Sequence, residues 1–231
     1  MNNSIENIPI LSSQLRADIV ETPAIIQQAS GLKLFGKKIK SIIYTTDVAV
    51  IANCNADAVL VVYPWTPNTR ILEAVSTVSN IPILAGIGGG LTSGVKSTVV
   101  GLFAEENGAQ AVVLNAPTSI ETIKNVKKAV DVPIIYTVVS SNLDIKERID
   151  AGVKAFNVAG GKDTPELVVW VRNELKKLGL GESFPIIASG GKTDEQIHKT
   201  IQAGANAISF TAYGVTEATF QKKMEKYRRE N

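Results

Sequence analysis

Cysteine and histidine are almost missing from this chain, with one of each in 231 residues. A single cysteine rules out an intramolecular disulfide framework and fits a reducing, cytoplasmic setting. A single histidine, His198, placed mid-helix by the surrounding pattern, argues against a Ser-His-Asp triad and against a histidine-based metal site. No apolar run approaches the roughly 20 residues of a membrane span, so no membrane partner is expected. The N-terminal MNNSIENIPI lacks a basic segment followed by an apolar one, so no signal peptide is read there. Net charge is small too: 24 Lys and Arg against 22 Asp and Glu leave +2, too balanced to point to nucleic acid. With 45% hydrophobic residues, the chain can nonetheless bury a substantial core, and its length suits one large domain.

What is abundant is repetition. Three segments share a hydrophobic residue, a proline and two aliphatics: Ile81-Pro82-Ile83-Leu84, Val132-Pro133-Ile134-Ile135 and Phe184-Pro185-Ile186-Ile187. Their prolines stand 51 and 52 residues apart. A second series lies between them, in which a glycine turn leads into an aliphatic run: Gly108 before Val112, Gly152 before Phe156 and Gly204 before Ile208. Asn55 to Val59 joins it without the glycine. Glycine suits the left-handed end of a helix, and proline suits the first residue of a strand, where its missing N–H is tolerated. Each series therefore marks a strand beginning after a helix.

Interleaving the two, with Ser41 to Tyr44 as the first, predicts eight strands near 41–46, 58–63, 82–86, 111–115, 133–139, 154–158, 185–189 and 206–211. Between them the spacing predicts helices over 67–79, 94–106, 119–130, 142–150, 165–178, 194–203 and 217–229, plus a short one from Val48 to Asn53. Aliphatic strands alternating with helices mean a parallel sheet with a covered outer face. Eight such units in this length favour an α/β fold of the closed (β/α)8 type, a TIM barrel, over an open doubly wound sheet. The expectation is one domain spanning 1–231, in which residues 1–40 form a helix and hairpin over the N-terminal mouth and 41–231 form the barrel.

In such barrels chemistry sits at the C-terminal strand ends. Two of these ends resemble each other, Val158-Ala159-Gly160-Gly161-Lys162 and Ala188-Ser189-Gly190-Gly191-Lys192. Bare glycine amides converging near a helix N-terminus favour a bound anion. The expected phosphate ligands are therefore Gly160, Gly161, Ser189, Gly190, Gly191 and Thr211, with Lys162 and Lys192 adding charge. The plainer alternative is that each glycine pair makes only a tight turn. Asp47, just after the first strand, is a candidate general base, or else the cap of the helix that follows it. Asn115 and Asn157 end apolar strands, where a polar side chain needs a partner such as a substrate hydroxyl.

Other chemistries are disfavoured by position. Cys54 precedes the second strand, at the end away from the expected site, and no lysine stands in the last turn of a strand to form a Schiff base. No pair of carboxylates stands at strand ends as a glycosidase needs. No metal site is expected, since Asp47, Asp163 and Asp194 are scattered over three loops.

PIIASGG, followed by a capped helix and then AGANAISF, resembles the phosphate-binding (β/α)8 barrels of the ribulose-phosphate-binding type. The resemblance is clearest over 130–215. It implies a phosphate of the substrate, or of FMN, held on amides after strands seven and eight, and carries over to Ser189, Gly190 and Gly191. Strand eight departs from it, because Ser209-Phe210-Thr211-Ala212 replaces the usual glycine and small hydroxyl residue. The whole chain is also similar to a Gram-positive bacterial group loosely labelled hydrolases. The leading expectation is an enzyme acting on a small phosphorylated molecule, an isomerase, epimerase or lyase, with no resident cofactor. An FMN-dependent oxidoreductase, a metal-assisted hydrolase and a non-catalytic metabolite sensor remain alternatives, as does a homo-oligomer. For the sensor, the basic helix from Gln221 to Arg229 would dock a partner or RNA, unless it is only a solvated helix end.

Overall fold

The computed structural model describes residues 18–230, together with Pro9 and Leu11. Eight parallel strands close into a barrel: β3 (Ser41–Tyr44), β4 (Ala58–Val61), β5 (Ile83–Gly88), β6 (Ala111–Asn115), β7 (Ile134–Val138), β8 (Val153–Val158), β9 (Ile186–Ser189) and β10 (Ala207–Thr211). The last strand pairs back onto β3, with Ile208 opposite Ser41, so the sheet has no edge. The fold is a (β/α)8 TIM barrel, as the two interleaved series predict.

Alternation along each strand separates two cores. Inward positions such as Ile42, Leu60, Leu84, Val113, Ile135 and Ile187 fill the barrel. Outward positions such as Ile43, Val59, Val112, Ile134, Phe156 and Ile208 meet the helices. The helical shell runs α1 (Val48–Ala52), α2 (Thr69–Val78), α3 (Val95–Glu106), α4 (Ile120–Ala129), α5 (Ile145–Ala151), α6 (Thr164–Lys177), α7 (Asp194–Gln202) and α8 (Val215–Glu230). Three helices start one to three residues after the positions the spacing predicts: α2 is capped by Asn68, α4 by Ser119 and α5 by Asp144.

Upstream, the helix expected within residues 1–40 is, among the described residues, only a 3-10 helix, Ala24–Gln28. It has no side-chain cap, and at Ala29 the backbone is already extended. Beyond Gly31 the expected hairpin forms from β1 (Leu32–Leu34) and β2 (Lys37–Ile39). Its Leu32 and Leu34 pack against the barrel's inner cluster at the N-terminal end of the strands. Residues 1–8, 10 and 12–17 of the expected N-terminal extension lie outside the described residues. Among the described residues no helix is long and apolar enough to cross a membrane.

One buried cation ties the shell to the barrel floor. Arg172 of α6 is 3% exposed and donates to the carbonyls of Gly181, Phe184 and Gly204 and to Asn206 Oδ1 at 2.6–3.2 Å. Burial pulls its guanidinium below the usual arginine range.

Candidate functional site

The inward positions of β6, β7 and β8 are aliphatic until their C-terminal ends, where they become Asn115, Thr137 and Asn157. Strand register sets the three side by side, Asn115 opposite Thr137 and Thr137 opposite Asn157. Their side chains form a relay. Asn157 Nδ2 donates to Thr137 Oγ1 at 3.3 Å, and the Thr137 hydroxyl donates to Asn115 Oδ1 at 2.9 Å. Asn157 is 6% exposed, and its Oδ1 is buried without a hydrogen-bond partner. A buried unmet acceptor costs about 1–3 kcal/mol and calls for an explanation; among the described side chains the Arg148 Nε on α5 is the other buried polar atom without a partner. The two asparagines expected from the sequence are thus brought together by Thr137, a strand-end residue whose linking role no local signal discloses.

Beside Asn115 a cleft of about 400 Å³ opens over the ends of β4, β5 and β6, lined by Tyr63, Trp65, Gly88, Gly89, Leu91 and Thr92 among others. Gly89 has a φ of 132°, and a Cβ there would stand 2.1 Å from the Asn115 carbonyl oxygen. Only glycine lets this loop lie against the end of β6. Trp65 is 77% exposed and Leu91 fully so.

The glycine turns after β8 and β9 correct part of the expected phosphate cradle. The Gly190 amide donates to the Ser209 carbonyl at 2.9 Å, and the Gly160 amide donates to Thr164 Oγ1 at 3.1 Å. Neither amide is available to an anion. Packing explains Gly190, whose Cβ would meet Ile208 Cγ2 at 2.5 Å. Gly161 and Gly191, with φ of 65° and 83°, have amides without a partner among the described residues. Ser189 and Ser209 face each other in register at the ends of β9 and β10, Ser209 buried and Ser189 half-buried. Thr211 is exposed beyond them, as are Lys162 and Lys192.

Asp47 caps α1. Its Oδ1 accepts from the amides of Ala49 and Val50 at 2.9 and 3.3 Å, and its Oδ2 accepts from the Thr216 hydroxyl. It follows β3, which lies three strands from β6 in one direction and three from β8 in the other. The structure therefore does not bring Asp47 into the relay. Between β3 and β4 the rim is closed by Tyr213, whose hydroxyl donates to the Val62 carbonyl at 2.6 Å and whose ring meets Tyr44 edge-on at 5.1 Å. Burial pushes the Tyr213 hydroxyl up to about 12, with Tyr44 adding to the effect.

His198 stands on α7 with Nδ1 3.1 Å from Gln28 Oε1, against the N-terminal 3-10 helix. Half-buried Cys54 lies beside Val20, and burial raises its thiol above the usual range. Among the described residues no group of three or more His, Cys, Asp or Glu stands close enough to hold a metal ion.

Neither a family model nor a curated protein matches the chain. Solved structures do. Phosphoenolpyruvate phosphomutase from Streptomyces platensis subsp. rosaceus is 13% identical, with a TM-score of 0.61 over 89% of this chain and 84% of that one. A phosphonopyruvate hydrolase complex with oxalate and Mg²⁺ is 15% identical, with a TM-score of 0.59 over 83% of each chain. The 2,3-dimethylmalate lyase, of the PEP mutase/isocitrate lyase superfamily, is 15% identical, with a TM-score of 0.59 over 82% of each. At these identities the likeness is one of fold. It supports a TIM barrel and does not single out the ribulose-phosphate-binding type.

Proposed function

We propose that this protein is an enzyme acting on a small phosphorylated metabolite, by isomerase or lyase chemistry, at the C-terminal mouth of the barrel. The observation that carries the proposal is the relay of Asn115, Thr137 and Asn157. It is a polar layer crowning an apolar barrel at the end where this fold does its chemistry, and it contains a buried acceptor left unpaired. Structures that resemble the chain include a mutase, a hydrolase and a lyase.

The phosphate is assigned to the rim after β8 and β9, on the amides of Gly161 and Gly191, beside Ser189 and Thr211. Asn115 and Asn157 belong to the floor of the site. Asp47 is the carboxylate nearest the end of a strand, and it keeps lone pairs beyond its three hydrogen bonds. It is the candidate for proton transfer. The Mg²⁺ bound by phosphonopyruvate hydrolase finds no fitting donor set among the described residues, and no step is routed through a metal.

A panel of small phosphorylated compounds in a thermal-shift assay tests the reading. A ligand at a hundred times its Kd adds about 2.7 kcal/mol, and for a domain of this size each kcal/mol moves Tm by roughly 2–4 °C. A rise of several degrees is expected for at least one compound and not for its dephosphorylated form. No shift from any of them at millimolar concentration overturns the proposal.

A further inference from the structure

We infer that the cleft beside Asn115 is a subsite for a flat, uncharged group bearing a hydrogen-bond acceptor oxygen, such as a ring carbonyl. Asn115 is its donor, and Thr137 and Asn157 are positioning residues. The inference rests on the C-terminal mouth being the ligand site, as proposed above, but not on the phosphate.

Proton counting gives the donor. A threonine hydroxyl carries one hydrogen. Asn157 Nδ2 donates into Thr137 Oγ1, so the Thr137 hydrogen goes to Asn115 Oδ1. Asn115 lines the cleft with its oxygen engaged behind it, so what it offers the cleft is the Nδ2 amide. The reverse polarity would seal both Asn157 N–H groups away unpaired. The observed polarity leaves one Asn157 N–H and the carbonyl oxygen unmatched, and the reverse leaves two N–H groups, which is worse because a carbonyl oxygen tolerates under-satisfaction better than a donor. The unpaired Asn157 Oδ1 is the cost of holding Asn115 with its amide outward.

The walls give the rest of the occupant. No charged side chain lines the cleft, so a charged group would lose its hydration there without a counter-charge. Trp65 and Leu91 stand on neighbouring loops, after β4 and β5, line the same cleft and present large apolar surfaces to water. A flat occupant laid against them would remove part of that surface from water, and an indole face is suited to stacking on a planar ring. Gly89 brings the second loop against the end of β6, which sets this wall beside the carboxamide.

The test uses the full chain with Trp170→Phe, which leaves Trp65 as the sole tryptophan. Benzamide, a neutral ring with a carbonyl, is titrated against Trp65 fluorescence, with benzylamine as the cationic control lacking an acceptor. Saturable binding of benzamide alone is expected. Asn115→Ala and Thr137→Val should each weaken it about tenfold, as loss of one hydrogen bond does, while Thr137→Ser keeps it. In ¹⁵N spectra the Asn157 side-chain amide should be protected from exchange with water and the Asn115 amide should exchange fast. Absence of saturation, equal affinity in Asn115→Ala, or the opposite protection pattern overturns the inference. Inorganic phosphate is followed by thermal shift in the same samples. Phosphate stabilisation without benzamide binding removes the subsite alone, and benzamide binding without phosphate stabilisation removes the phosphate reading alone.

Discussion

The Gly190 amide donates to the Ser209 carbonyl across 2.9 Å, joining the turn after β9 to the end of β10. The same glycine faces Ile208 Cγ2 and Ile197 Cγ1, which a Cβ would meet at 2.5 and 3.0 Å. Gly190→Ala should therefore lower stability by about 1–3 kcal/mol through overpacking, seen as a lower urea midpoint. A substitution without effect would show that the turn is not packed this way.

Arg172 is the residue on which the lower shell depends. Replacing it with alanine leaves the acceptors at Gly181, Phe184, Gly204 and Asn206 without their donor. The expected loss is about 3–5 kcal/mol, the range for uncovering buried polar partners. Arg172→Lys should recover only part of it, because one ammonium cannot reach all four. Equilibrium denaturation of the two variants measures both effects.

Asp47→Ala removes the cap of α1 and the contact with Thr216 of α8. A loss of about 1–2 kcal/mol is expected from capping. Asp47→Asn keeps an oxygen for the cap and should cost less. If Asp47 also transfers a proton, Asp47→Asn should abolish turnover of a phosphorylated substrate while the protein stays folded. Near-normal turnover in that variant would leave Asp47 a cap alone.

Tyr213 predicts behaviour in base. Its hydroxyl is raised from 10 to about 12 by burial and by Tyr44. The unfolded chain therefore releases this proton first as pH rises. Its contribution to stability is complete below about pH 10 and declines between pH 10 and 12. The Tm should fall over that window, and less steeply in Tyr213→Phe.

Much of the fold was legible because backbone periodicity is local. Prolines 51 and 52 residues apart and recurring helix-ending glycines mark the strands, and closure follows from having eight of them. The site was harder to read. A glycine in a turn looks the same in sequence whether its amide is bonded or free, and only the structure separates Gly190, whose amide is held by Ser209 against Ile208 and Ile197, from Gly191, whose φ is 83° and whose amide has no partner among the described residues. The relay depends on the register of three strands and joins residues 22 and 20 apart in sequence, so no local pattern discloses the part Thr137 plays in it. Arg172 carried a signal that was missed. It falls on the apolar stripe of α6, one residue after Val171 and three before Leu175, where a charge must be buried and paired.

The central claim, that the mouth holds a phosphorylated ligand, is tested most directly by titrating inorganic phosphate into ¹⁵N-labelled protein. The account predicts saturable downfield shifts of the Gly161 and Gly191 amides, with the amides of Gly160 and Gly190 held nearly still by their internal partners. Unmoved Gly161 and Gly191 resonances, or shifts confined to lysines of the β1–β2 hairpin, would contradict it.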